Sequence, residues 1–154
     1  MKSLVIYDSV YGNTEKIAQA IATTLGADIH KIGDARLEML DGVELLVVGS
    51  PTQKFRPMPA VTGFLDRIPV GKLQGMKVAA FDTRVSQEAL KRSPGILRLF
   101  VSIFGYAAEF IGKKLTKKGG VLVLAPEGFF VPESEGPLVE GELERASTWA
   151  KQLM

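Results

Sequence analysis

Four short apolar runs constrain the fold of this chain more than any other feature: residues 4–7 (LVIY), 45–48 (LLVV), 78–81 (VAAF) and 121–124 (VLVL). Each run is continuous, whereas a strand with one wet face would alternate. Continuous runs belong to strands covered on both faces, as in a parallel sheet between two layers of helix. A weaker run over residues 27–32 alternates apolar and polar side chains. It predicts a half-exposed edge strand.

Helical stripes lie between the runs. Ile17, Ala18, Ile21, Ala22 and Leu25 recur at helical spacing, with Gly26 as a stop. Ala60, Val61, Phe64 and Leu65 form a second stripe ended by Pro69, and Ala107, Ala108, Ile111 and Leu115 a third ended by Gly119 and Gly120. Leu143, Ala146, Ala150 and Leu153 form the last, with Trp149 beside them as a packing residue. Strand and helix alternate five times, which predicts a three-layer α/β architecture with right-handed crossovers. The chain has 154 residues and shows no linker or repeat, so one domain over residues 1–154 is expected.

Composition narrows the chemistry. The chain has no cysteine, which removes disulfides, iron–sulfur clusters, thiolate zinc sites and a thiol nucleophile. Its single histidine, His30, falls on the edge strand and reads as a surface residue, so a multi-histidine metal site is not expected. The amino terminus opens on a strand-like run with no signal-like or membrane-spanning segment, which makes a cytoplasmic protein the default expectation. The net charge is +2. Lys113, Lys114, Lys117 and Lys118 cluster in sequence, and two helical turns would place them on a solvated face, not against nucleic acid.

One region departs from the alternation. Residues 85–104 separate the fourth strand from the next helix and end in PGILRLFVSIFG. If the segment from Pro94 to Phe104 is helical, apolar side chains cover most of its circumference, and only Arg98 and Ser102 make a polar stripe. It is too short and too interrupted to cross a bilayer. It must bury against its own domain, a second subunit in a homodimer, or a hydrophobic partner.

Ligands of open parallel α/β sheets bind beyond the carboxyl ends of the strands. Three such ends carry unusual residues here: 9–14, 51–56 and 82–84. At the first, a strand, a short polar loop and a helix start combine into an anion site. Free backbone N–H groups and the helix dipole face outward. Gly12 and Asn13 tolerate the left-handed geometry that aims successive N–H groups inward, and Ser9, Thr14 and Tyr11 add hydroxyls. The loop contains no Lys or Arg, so neutral donors alone would hold a phosphate. Neither the GxxxxGK[ST] loop of nucleotide triphosphatases nor the GxGxxG dinucleotide fingerprint is present.

On these residues the chain resembles the flavodoxin family. LVIYDSVYGNTEKIAQAIA is similar to the family signature of a strand followed by Ser/Thr-x-x-Gly-x-Thr, three residues and an Ala, with Ser9, Gly12, Thr14 and Ala18 in those positions. VVGSPT at residues 47–52 resembles the family's second flavin loop, and FDTR with the carboxyl-terminal GFFVPESEGPLVEGELERASTWAKQL is similar to prokaryotic members. The resemblance implies a flavodoxin-like fold with a five-stranded parallel sheet in the order 2-1-3-4-5, and non-covalent FMN. Ser9, Val10, Tyr11, Gly12, Asn13 and Thr14 would hold the phosphate. Pro51, Thr52, Gln53, Lys54, Phe55 and Arg56 would line one side of the isoalloxazine, and Asp82, Thr83 and Arg84 the other. The last strand would run from residue 121 toward 131 without a long insertion.

The chain also departs from that pattern. Many family members are acidic around the flavin and stack Trp and Tyr on its two faces; this chain is mildly basic and has no Tyr or Trp close to its third loop. Tyr11 and Phe55 are the nearest aromatic candidates, Met58 is a further candidate to lie against the ring, and a core role for Phe55 is the alternative to stacking. Many members also place a glycine in the second loop, whose peptide can flip toward the reduced flavin; residues 51–59 here contain three prolines and no glycine, so modest stabilisation of the half-reduced cofactor is expected. Lys54 and Arg56 either favour the reduced anion or point to solvent. Arg84 either donates to the flavin pyrimidine or pairs with Asp82. Glu127 and Glu133 flank Phe129 and Phe130 without a second feature for acid–base work, and read as part of a packing loop.

The expected function is therefore FMN-based electron transfer to a redox partner protein, with no catalytic side chain. The alternative is a flavodoxin-like oxidoreductase that uses a quinone-like or small organic acceptor, resembling flavodoxin-like protoporphyrinogen oxidases. A flavin-free interaction module is disfavoured by the intact first loop.

Overall fold

A computed structural model of the chain describes residues 1–53, 56–86, 95, 105–133 and 136–154. Lys54, Phe55 and, apart from Gly95, the apolar segment from Pro94 to Phe104 lie outside the described residues. The elements in chain order are β1 (Ser3–Tyr7), α1 (Asn13–Leu25), β2 (Asp28–Lys31), β3 (Leu45–Pro51), α2 (Pro59–Arg67), β4 (Lys77–Val85), α3 (Ala107–Lys117), β5 (Val121–Leu122), β6 (Glu127–Val131) and α4 (Glu142–Gln152).

The strands pair in parallel in the order β2-β1-β3-β4-β5, with β6 also on β4. This is the expected 2-1-3-4-5 sheet, its fifth position filled by two segments. β5 aligns Val121 with Lys77, and β6 aligns Glu127 with Phe81, so both lie along one edge of β4. Pro126 stands between them and has no N–H to give to the ladder, which accounts for the break. Phe129 and Phe130 thus lie in strand β6, in line with the expected run from residue 121 toward 131 and not in a packing loop.

The continuous apolar runs supply both faces of the sheet. Leu4, Ile6, Leu46, Val48, Val78 and Ala80 face α2 and α3 and pack with Val61, Phe64, Leu65, Ile111 and Leu115. Val5, Tyr7, Leu45, Val47, Ala79 and Phe81 face α1 and α4 and pack with Ile17, Ile21, Ala146 and Trp149. Phe81, Phe129 and Trp149 meet edge to face, with ring centroids 6.1–6.4 Å apart, so Trp149 is a core residue. Two stripe positions differ from expectation: Ala60 is exposed in the first turn of α2, and Leu143 is exposed beside a groove between α1 and α4. β2 sits at the sheet edge, half exposed as its alternation predicts, and carries His30.

Glu127 pairs with Arg145 at 3.3 Å. Arg145 also binds Glu142 at 2.7 Å, donates to the Gly128 carbonyl, and lies over the Phe129 ring. Glu142 in turn accepts the Phe130 N–H. Glu127 is therefore one member of an ion-pair network that fastens α4 to β6. Among the described residues no helix is long and apolar enough to cross a membrane.

Candidate functional site

The parallel strands β1, β3 and β4 end side by side, so the three unusual loops meet at one end of the sheet. The first is built from its backbone. Gly12 has φ of 93°, a left-handed geometry that a side chain resists, and it contributes no side-chain cap to α1. The Gly12 N–H donates to Ser9 Oγ at 3.1 Å, and the Ser9 N–H donates to Asp8 Oδ1 at 2.8 Å. Ser9 accepts in this bond, so its hydroxyl proton is left to donate. Val10 and Tyr11 are exposed at 45% and 52%, with no burial to fix them.

Asn13 is the unusual member. Its side chain is buried, yet Nδ2 has no hydrogen-bond partner. It lies against Gly136, where a Cβ would fall 2.3 Å from Nδ2. A buried donor without an acceptor costs about 1–3 kcal/mol, so native structures keep few of them without a reason. Below the loop, the Tyr7 hydroxyl donates to Glu15 Oε1 at 2.6 Å and ties the first turn of α1 to β1. Burial, then the Glu15 carboxylate, pushes the Tyr7 phenol up to about 12.

The first and third loops are joined by a buried hydroxyl pair, Thr14 Oγ1 to Thr83 Oγ1 at 2.8 Å. The second and third are joined by the backbone, the Thr52 N–H donating to the Thr83 carbonyl at 2.9 Å. Ser50, fully buried, accepts the Met58 N–H at 2.8 Å and so anchors the start of α2. Gln53 and Arg56 exchange both backbone bonds at 2.9 Å. Arg56 is exposed and its guanidinium lies 5.8 Å from the Phe110 ring. Met58 packs partly buried on the core of the α2 side.

Asp82 and Arg84 share the opposite sheet face from Thr83. Arg84 grips Asp82 with Nε and Nη2, both at 2.8 Å. Asp82 is fully buried and also accepts the Ala108 N–H at 2.9 Å and a bond from the Thr52 hydroxyl. Thr52 Oγ1 accepts the Ala107 N–H at 3.0 Å. One carboxylate thus holds the second loop, the third loop and the start of α3. Burial pushes the Asp82 carboxyl above its ordinary range, against the pull of Arg84, the Ala108 N–H and Thr52. The Arg84 guanidinium lies 3.7 Å from the Tyr106 ring centroid on one side. On the other is Gly128, where a Cβ would fall 2.0 Å from Nε. Arg84 thus forms the ion pair with Asp82 that was one of its two expected roles.

The structure therefore brings together Ser9, Gly12, Asn13 and Thr14 with Pro51, Thr52, Gln53, Arg56, Asp82, Thr83 and Arg84. Lys54 and Phe55 are not described. Sequence reasoning missed Ser50, Gly128, Gly136 and Tyr106. Tyr106 supplies an aromatic ring beside the third loop where none was expected, because about twenty residues of sequence separate it from β4. A phosphate fits the first loop: an uncapped helix start, a left-handed glycine, an orphaned amide donor and spare hydroxyl protons converge there without a cation.

The pattern of the family described as "Flavodoxin domain" matches residues 4–125. An uncharacterized protein of Methanocaldococcus jannaschii is 36% identical over 69 residues, covering 44% of this chain and 46% of that protein. The match thus spans about half the length of that relative. Among solved structures, oxidised flavodoxin 2 from Bacillus cereus superposes with a TM-score of 0.76 at 23% identity, covering 99% of this chain and 97% of the other. The flavodoxin, WrbA-like protein from Agrobacterium tumefaciens gives 0.73 at 21% identity, covering 99% and 94%. At these identities the superpositions establish the fold.

Proposed function

Because the chain belongs to the flavodoxin domain family, we propose that it binds FMN across its three strand-end loops and works as an electron-transfer protein. The observation that carries the reading is the buried, unpartnered Asn13 amide at the uncapped start of α1. A donor held there without an acceptor is what an absent phosphate oxygen would leave behind. Ser9, Gly12, Asn13 and Thr14 would hold the phosphate through neutral donors, helped by the partial positive charge of the helix start. Thr52, Gln53, Arg56, Thr83 and the Asp82–Arg84 pair would border the ring.

A bound flavin supplies one- and two-electron chemistry, and the protein's part is position and electrostatics. The hydroxyl and backbone bonds between the loops keep the donors in place. The Asp82–Arg84 pair carries its charges internally compensated, so the third loop adds no net charge to the site.

The absorption spectrum of the purified protein tests the reading. The expected result is a flavin spectrum, with FMN as the species released on denaturation. A colourless protein that takes up neither FMN nor riboflavin would overturn it. Rapid steady-state turnover of a quinone by the loaded protein, with slow exchange to one-electron protein partners, would instead make the chain an oxidoreductase enzyme.

A further inference from the structure

The lysine cluster of α3 has no role at the strand-end loops, because α3 runs back to the opposite end of the sheet. That end is a continuous surface of four turns: residues 1–2, 41–44, 66–77 and 114–121. Hydrogen bonds join them. The Gly71 and Leu73 N–H groups both donate to the Lys118 carbonyl, at 3.0 and 3.1 Å, and the Val121 N–H donates to the Met76 carbonyl at 2.8 Å. Lys77 N–H donates to the Glu44 carbonyl at 3.0 Å, and Lys2 Nζ to the Asp41 carbonyl at 2.9 Å.

These turns hold seven basic side chains, Lys2, Arg67, Lys72, Lys77, Lys114, Lys117 and Lys118, and three acidic ones, Asp41, Glu44 and Asp66. The surface is therefore +4 in a chain whose total is +2, and the remainder of the molecule is −2. Asp41 and Asp66 are occupied by Lys72 and Lys114, each at 2.5 Å. Lys77 and Lys117 are exposed. Aliphatic side chains stand out singly among them: Val70 is 82% exposed, Met1 58% and Val121 54%. A depression of about 470 Å³ at this end is bordered by Met1, Lys72 and Lys77 together with Asp41 and Glu44.

We propose that this end of the molecule is a docking surface for an anionic lipid bilayer, with the strand-end loops facing away from it. The surface contains no aromatic side chain. That disfavours single-stranded nucleic acid, which needs rings on which bases stack, and a protein hot spot, which is built on Trp, Tyr and Arg. Spread lysines with isolated exposed aliphatics match acidic headgroups instead, where each basic residue near the surface contributes on the order of a fivefold gain in partitioning. Such an orientation leaves the candidate cofactor site open to partners from the aqueous side, and it stands independently of what that site binds.

The test is co-sedimentation of the full chain with phosphatidylcholine vesicles, with and without phosphatidylserine. Binding is expected only with phosphatidylserine and is expected to fall steeply with salt. Lys77→Glu with Lys117→Glu should lower the bound fraction at least about tenfold. The same reversal at Lys16 and Lys31, exposed elsewhere on the molecule, should not. Val70→Asp, at a site too exposed to affect folding, should lower it as well. Equal partitioning onto both vesicle types, no binding, equal loss in the two double variants, or tighter binding to duplex DNA than to the acidic vesicles would each overturn the proposal.

Discussion

Replacing Asn13 by alanine separates what this residue does for the fold from what it does for a ligand. In the flavin-free protein Nδ2 is a buried donor without an acceptor, a burden of about 1–3 kcal/mol. Alanine removes it and suits the first turn of a helix better than asparagine. It forfeits only the small contact with Gly136. Urea unfolding of the flavin-free variant should show a stability equal to wild type or up to about 2 kcal/mol higher, with an unchanged m-value. Binding should move the other way. One lost hydrogen bond to a charged group is worth about 1.5–3 kcal/mol, so the Kd for FMN should rise about 10- to 150-fold in a fluorescence titration. Riboflavin, which lacks the phosphate, should bind both proteins alike. Equal weakening for riboflavin and FMN, or a flavin-free variant less stable by more than about 1 kcal/mol, would refute the reasoning.

Gly128→Ala should destabilise the protein by about 3–5 kcal/mol in urea, because its Cβ would displace Arg84 from a fully buried Asp82 carboxylate. Thr14→Val keeps the shape of the side chain but leaves the Thr83 hydroxyl without its buried partner; a loss of about 1–3 kcal/mol is expected, read from the same unfolding curves. Glu142→Gln addresses acid stability. Burial pushes the Glu142 carboxyl up, but Arg145 and the Phe130 N–H outweigh it and hold the group below its ordinary value of 4.5. The stability it contributes is then present above pH 4.5 and lost as the pH falls through the lower native value. The variant's thermal midpoint should vary less with pH across that acid window than the wild type's.

The sheet was readable because burial on both faces leaves a direct mark, an unbroken apolar run, and the strand-end loops followed from where those runs stop. The first loop was also legible, since Ser9, Gly12, Asn13 and Thr14 are consecutive enough for their backbone demands to show in the residue types. The Arg84 cluster was not. Tyr106 lies about twenty residues beyond β4 in sequence, and stacking over that separation has no periodicity. Gly128 and Gly136 carry no local signal of a role. Their reason is steric, the approach of Arg84 and of Asn13 within 2.3 Å of where a Cβ would stand, and only the neighbours reveal it. The resemblance carried the last strand from residue 121 toward 131, and both ends of that run do pair with β4, but the interruption at Pro126 was not anticipated.

The arrangement of the three loops rests on Thr83 more than on any residue with an obvious chemical role. Its hydroxyl holds Thr14 at the start of α1, and its carbonyl holds the Thr52 N–H in the second loop. Its register partners are Pro51 on one side and Phe129 on the other. The residues before and after it, Asp82 and Arg84, point to the opposite face and fasten α3 and Tyr106. Strand alternation thus sends one residue toward the phosphate loop and its two neighbours toward the other helical layer. A shift of β4 by one residue would exchange these roles and break every tie at once. The Phe81 side chain resists such a slip: it occupies the space over Gly49, where a Cβ would stand 2.1 Å from the ring, and it meets Phe129 and Trp149 edge to face. The geometry of the candidate site is therefore set by core packing one residue below it, so a core substitution at Phe81 acts on the site through the register of β4.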